Sequence, residues 1–235
     1  MRYWGGMHTT LVDLVRDPTL IPHVYDYCDH WCRYCRAAPR CLFYRTSALR
    51  PRADPSREPD DVMADGLAWA RAVANAAETE VSRLDVTLAD PSCEPPPGVI
   101  GDRLERLGRQ YMLLAHVVLP PLGDEFTLTE NSEATPLNVV WWLHMTIAYK
   151  TFRALVSLHR ATQGEETLRA DANACAKLVL TAIDRSRAAL EELQALHGGD
   201  DRLAALGDYL GMMSIAVEKR FPEARGFVRA GLDEA

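Results

Sequence analysis

Between residues 100 and 221 the apolar side chains return with a helical period, and that pattern restricts the chain to a mainly α-helical fold. Leu104, Leu107, Tyr111, Leu114 and Val118 form one stripe of a helix predicted over 100–118. Leu137, Trp141, His144, Ala148, Thr151, Leu155 and Leu158 do the same over 136–162. Ala176, Leu180, Ile183, Leu190 and Leu193 mark a third helix over 167–196, and Leu203, Leu206, Leu210, Met213 and Val217 a fourth over 200–221. The breaks have physical causes. Pro120-Pro121 and Pro222 cannot continue a helix, Thr135-Pro136 reads as a cap and first helical residue, and Gly198-Gly199 after His197 supplies a left-handed stop. Leu67, Ala70, Val73, Ala74, Ala77 and Val81, behind Asp60 and Asp61, predict one further helix over 60–84. Proline-bearing stretches 46–59 and 85–98 read as loops, as does 122–135, where Phe126 and Leu128 suggest at most a short strand. The expected fold is a mainly α, antiparallel bundle of about five long helices.

Ahead of the bundle lies a different kind of sequence. Cys28, Cys32, Cys35 and Cys41, four of the six cysteines, are spaced C-x3-C-x2-C-x5-C within fourteen residues. Thiols so concentrated point to one metal or cluster site. Structural zinc prefers paired knuckles separated by a dozen or more residues, and only one C-x2-C pair is present here. An iron–sulfur cluster is larger and is wrapped by compact cysteine runs with unequal gaps, so a [4Fe-4S] cluster is favoured and zinc is the alternative. Residues 1–59 are therefore read as a cysteine-rich metal-binding arm and linker, and residues 60–235 as the helical bundle. The arm has few apolar residues, so bound metal would supply much of its folding energy.

The C-x2-C-x5-C half resembles the [4Fe-4S] loops of helix-hairpin-helix DNA glycosylases and of RecB-like nucleases. That resemblance covers about ten residues and implies a ligand role only. Cys28, Cys32 and Cys35, with Tyr34, also resemble the radical SAM signature C-x3-C-x-Φ-C. Cys41 would close the iron that such chemistry leaves open, and no βα alternation follows. The Tyr-Cys-Asp-x-Trp-Cys-x-x-Cys element is similar to one in uncharacterised bacterial helical proteins, which implies no activity.

Around the thiols, His30 is a neighbour rather than a needed ligand, and Trp31 and Tyr34, with Phe43 and Tyr44, would keep water from a cluster. Arg36 and Arg40 belong to a basic run, Arg33 to Arg57, that would offset thiolate charge; it also suits docking of an acidic protein partner over 33–57. A net charge of -7 argues against bulk nucleic-acid or anionic-membrane binding. No apolar run reaches spanning length and the N-terminus lacks a signal-peptide core, so a cytoplasmic location is expected, with thiols kept reduced. Cys93 is not needed as a ligand.

Two functional classes follow: an iron–sulfur protein in redox or sensing, and a zinc-clipped scaffold that binds a partner. Enzymatic activity is a third reading, with a pocket built from His144, Lys177 and Asp184 inside the bundle; a hydrogen-bonded core histidine and ordinary ion pairs are the simpler account of those residues. Glu-x-x-His pairs, phosphate-binding glycine loops and His-Glu-x-x-His are absent from the sequence, which removes di-iron, nucleotide and zincin chemistries.

Overall fold

The computed structural model describes residues 11–22, 24–49, 58, 61, 64–69, 71–73, 75, 95–119 and 134–233. The protein is mainly helical, and no strand occurs among the described residues. The predicted strand near Phe126, most of the 85–98 loop and Cys93 lie outside them. Contacts divide the chain into two compact units, residues 1–25 with 35–92, and residues 26–34 with 93–235.

The second unit is built on four long helices, α2 (Arg103–Val118), α3 (Pro136–Thr162), α4 (Leu168–Leu196) and α5 (Asp201–Arg220). The starts of α2, α3 and α5 have a local reason. The Asp102 carboxylate accepts from the Leu104 amide at 2.7 Å, the Thr135 hydroxyl from Asn138 at 3.3 Å, and Asp200 from Arg202 at 2.9 Å. Pro136 sits at the first helical turn, where its missing N–H costs nothing. At the end of α4, Gly198 and Gly199 take φ of 69° and 83°, and the Gly199 amide returns to the Gln194 carbonyl at 2.8 Å.

Helix α4 is the centre of this unit. Its small residues Ala172, Ala174, Ala176, Ala182 and Ser186 are buried beside Val179, Leu180 and Ile183, so burial runs around most of the helix. The α5 stripe is buried as predicted. On α2 and α3 the inward face is rotated: Leu114 is exposed, while Gly108 and Ala115 are buried, and Val140, Leu143 and Ile147 replace Trp141 and Ala148 as the fully buried positions. Small residues face the neighbours there because the helices pass close. A Cβ built on Gly108 would stand 3.4 Å from both the Ala148 Cα and the Met213 Cε, and 3.6 Å from the Thr151 Cβ. Gly108→Ala is accordingly expected to be neutral or to stabilise by up to about 1 kcal/mol, through helix propensity. Gly108→Leu should cost about 2 kcal/mol or more by overpacking. Urea midpoints of the two variants check both signs.

The first unit holds α1 (Leu42–Leu49), a helix in a stretch where a loop is predicted from residue 46. Residues 11–15 are also helical, and Leu11 and Val12 pack with Trp69, Ala72 and Val73. The described part of the predicted 60–84 helix, which includes 64–69 and 71–73, is helical. Helical side chains from both stretches thus bury one small apolar cluster.

Candidate functional site

The cysteine segment follows three short 3-10 turns, Val24–Tyr27, Cys32–Tyr34 and Ala38–Arg40. Cys28, Cys32 and Cys35 are half-buried, Cys41 is buried, and none forms a disulfide. Between the first two, His30 is the one described residue other than glycine with a left-handed backbone, φ 57°, a conformation histidine tolerates better than most side chains. It turns the chain sharply, and the Asp29 carboxylate supports the turn by accepting from the Trp31 amide at 3.0 Å.

Residues 26–29 are held by cations projecting from the bundle. Lys150, only 2% exposed, donates from Nζ to the Asp26 carbonyl at 2.5 Å. Arg153 pairs with the Asp26 carboxylate at 3.0 Å and forks onto both oxygens of Asp171, at 2.7 and 3.2 Å. Ser157 donates to the same Asp171 at 2.6 Å. Arg185 pairs with Asp29 at 2.7 Å, and the Trp142 indole donates to the Asp29 carbonyl at 2.9 Å. Trp31, 4% exposed, stacks on Trp142 with centroids 5.5 Å apart, and the Arg185 guanidinium lies 5.6 Å over its ring.

Burial lowers the Lys150 pKa, opposed in part by the negative charge of the Asp26 carboxylate. Cys175 sits on α4, and burial pushes its thiol up to about 12, so it remains protonated and inert.

On the Cys35 and Cys41 side, local bonds hold the loop. The Ala38 amide bonds the Cys35 carbonyl at 3.2 Å, the Ile21 amide bonds the Arg40 carbonyl at 2.9 Å, and Arg40 Nε reaches the Thr19 carbonyl at 2.9 Å. Cys41 opens α1, its carbonyl accepting from Arg45, whose guanidinium pairs with Asp17 at 2.5 Å. Hydrogen bonds from Thr19 and Arg45 bring the Asp17 pKa down to about 2. Arg33, Arg36 and Arg40 are exposed, as are Tyr34, Phe43 and Tyr44, so Trp31 is the one buried ring of the four aromatics.

Among the described residues no group of three or more His, Cys, Asp or Glu side chains is gathered as a metal site. The donor chemistry nonetheless suits a thiophilic metal or cluster: four thiols, none in a disulfide, close in sequence.

The three residues of the predicted bundle pocket have separate partners. Lys177 donates to the Phe227 carbonyl at 2.5 Å and pairs with Asp233 at 3.0 Å; Asp184 pairs with Arg225. His144 meets His116 instead, Nε2 to Nε2 at 3.0 Å, while its Nδ1 contacts the Trp141 carbonyl at 2.5 Å. A carbonyl only accepts, so Nδ1 carries the proton and Nε2 presents a lone pair. Burial brings the His144 pKa down to about 4, so the ring is neutral at physiological pH. Both histidines line an open cavity of about 420 Å³ together with Asp29, His30, Trp141, Trp142, Met145 and Thr146.

No family model, curated protein or solved structure matches the chain. No described helix is long and apolar enough to cross a membrane.

Proposed function

We propose that the chain is a metal-binding protein in which Cys28, Cys32, Cys35 and Cys41 together hold an iron–sulfur cluster of the [4Fe-4S] type, on a helical bundle that carries the cysteine-rich arm. The carrying observation is the spacing of four thiols that form no disulfide, supported by the cationic anchoring of the segment that bears the first two. Such a cluster supplies one-electron transfer at a potential set by nearby charge, hydrogen bonds and solvent access. The chain's own residues have definable tasks. The four thiolates are the ligands. Lys150 and Arg153 hold the backbone just before Cys28 through Asp26, Arg185 holds it just after through Asp29, and Trp31 excludes water from that stretch. The role that follows is electron transfer or redox sensing, with an acidic protein as partner for the exposed Arg33, Arg36 and Arg40.

Single substitutions test the ligand set. Cys28→Ala, Cys32→Ala, Cys35→Ala and Cys41→Ala should each strip most of the metal from protein purified without oxygen, while Cys175→Ala retains it. Equal metal content in all five variants and the unmodified chain would show that the four thiols are not the ligands.

A further inference from the structure

The cavity beside the cysteine segment contains a second set of ligating atoms, and these are nitrogens. His116 on α2 and His144 on α3 bring their Nε2 atoms to 3.0 Å, with ring centroids 4.5 Å apart and ring planes at 84°. A collinear N–H···N hydrogen bond between head-to-head imidazoles would separate the centroids by about 5.3 Å. The shorter value means that the rings meet at an angle instead of end to end. Two nitrogens bound at about 2.0–2.1 Å to one tetrahedral zinc ion stand about 3.3–3.4 Å apart. The observed separation is a few tenths of an ångström shorter, so a small outward turn of the exposed His116 ring reaches it.

The surroundings repeat the pattern found behind metal-binding imidazoles. The backbone carbonyl of Trp141 fixes the His144 tautomer at Nδ1, leaving the Nε2 lone pair outward, and Trp141 packs 4.9 Å from both imidazole rings. His116 is exposed and His144 is 2% exposed, so one ligand is reachable from the cavity and the other is held rigidly behind it.

We infer that His116 and His144 are cis ligands of a divalent first-row transition cation of the zinc type, bound at the mouth of this cavity. Imidazole suits zinc, copper, nickel and iron, and excludes calcium and magnesium as preferred occupants. Among the described residues no third side chain completes a metal-binding group, so the remaining positions belong to water or to a small exogenous ligand, as in an open rather than a structural site. In the metal-free pair His116 Nε2 holds the bridging proton; on metal binding that proton is exchanged through solvent to its own Nδ1, and both rings stay neutral. This site is independent of the four thiols.

The test is a zinc titration of the full chain by calorimetry, unmodified and as His116→Ala, with nitrogen-15 spectra of the histidine side chains recorded alongside. His116 is exposed, so its removal leaves the core intact, and His116→Gln serves as a second variant. The unmodified chain should bind about one zinc more per molecule than either variant, whether or not the thiols also take metal. Zinc should shift the Nε2 resonances of both His116 and His144. Equal stoichiometry in the three proteins, or histidine resonances indifferent to zinc, would overturn the assignment.

Discussion

Arg153→Ala is expected to destabilise the protein by about 3 kcal/mol, because it leaves two carboxylates without their principal cation. Arg153 is 28% exposed, and its partners Asp26 and Asp171 are 25% and 19% exposed, so water compensates only in part. Asp171 would keep the Ser157 hydroxyl, and the Asp26 carbonyl would keep Lys150. For a chain of 235 residues that loss corresponds to a fall in Tm of about 6–12 °C. The control is Arg225→Ala. Arg225 pairs with Asp184 and Glu218, all roughly half exposed, and such pairs contribute about 0–1 kcal/mol. Calorimetric melting of the two variants separates the cases. Arg153→Ala should also lower metal retention, since the backbone just before Cys28 loses a fixed point, whereas Arg225→Ala should not. Equal melting temperatures would mean that the 26–29 segment is not held by this arginine.

The second large effect is a loss of stability on mild acidification. In the folded chain burial holds His144 down to about 4, against 6.5 for the ordinary imidazole. Between these values the unfolded chain binds a proton that the folded one refuses, so stability is full above pH 6.5 and declines as pH falls towards 4. The loss attributable to His144 is about 3 kcal/mol over that window. Burial also lowers the His30 pKa, which acts in the same direction. Asp17 and Asp200, both near 2 through hydrogen bonds from Thr19 and Arg202, lose their contribution at lower pH, as it falls from 3.8 through 2. Chelator-treated protein should therefore show a urea midpoint that drops between pH 6.5 and 4, and His144→Gln should flatten most of the drop. An unchanged slope in that variant would mean that His144 titrates normally.

The helices were legible because their signals are local. Thr135-Pro136, Gly198-Gly199 and Pro222 mark ends that the backbone chemistry enforces, and the α4 and α5 stripes are the buried ones. Leu114 misled because residue size is not orientation: α2 turns Gly108 and Ala115 to its neighbours, which lets the helices approach and leaves the leucine outside. Helix α1 was missed from residue 46 on because Leu42–Leu49 has no acidic first turn, no basic last turn and no buried residue, and its end adjoins a proline-bearing stretch. Residues 26–34 group with residues 93–235 in one compact unit, and residues 1–25 with 35–92 in the other.

The candidate site was legible in its ligands and illegible in its setting. Four thiols in fourteen residues announce themselves through spacing alone. Lys150, Arg153 and Arg185 reach residues 26–29 across 124, 127 and 156 positions, and no local pattern predicts such a meeting. A faint signal existed, for Lys150 is one of only three lysines and falls on the same helical face as Leu143, Ile147 and Ala154. In the sequence His116 shares a helical face with Glu105, Arg109 and Met112, and His144 falls on an apolar stripe. Their pairing across 28 positions required the packing of two helices.

The most direct measurement is a visible absorption spectrum with metal analysis on the full chain purified without oxygen. The account predicts a brown protein with a broad absorption band that bleaches on reduction with dithionite, and about four iron ions per chain. A colourless protein carrying zinc but no iron, with its cysteines protected from alkylation, would contradict the cluster and leave a zinc-clipped helical scaffold.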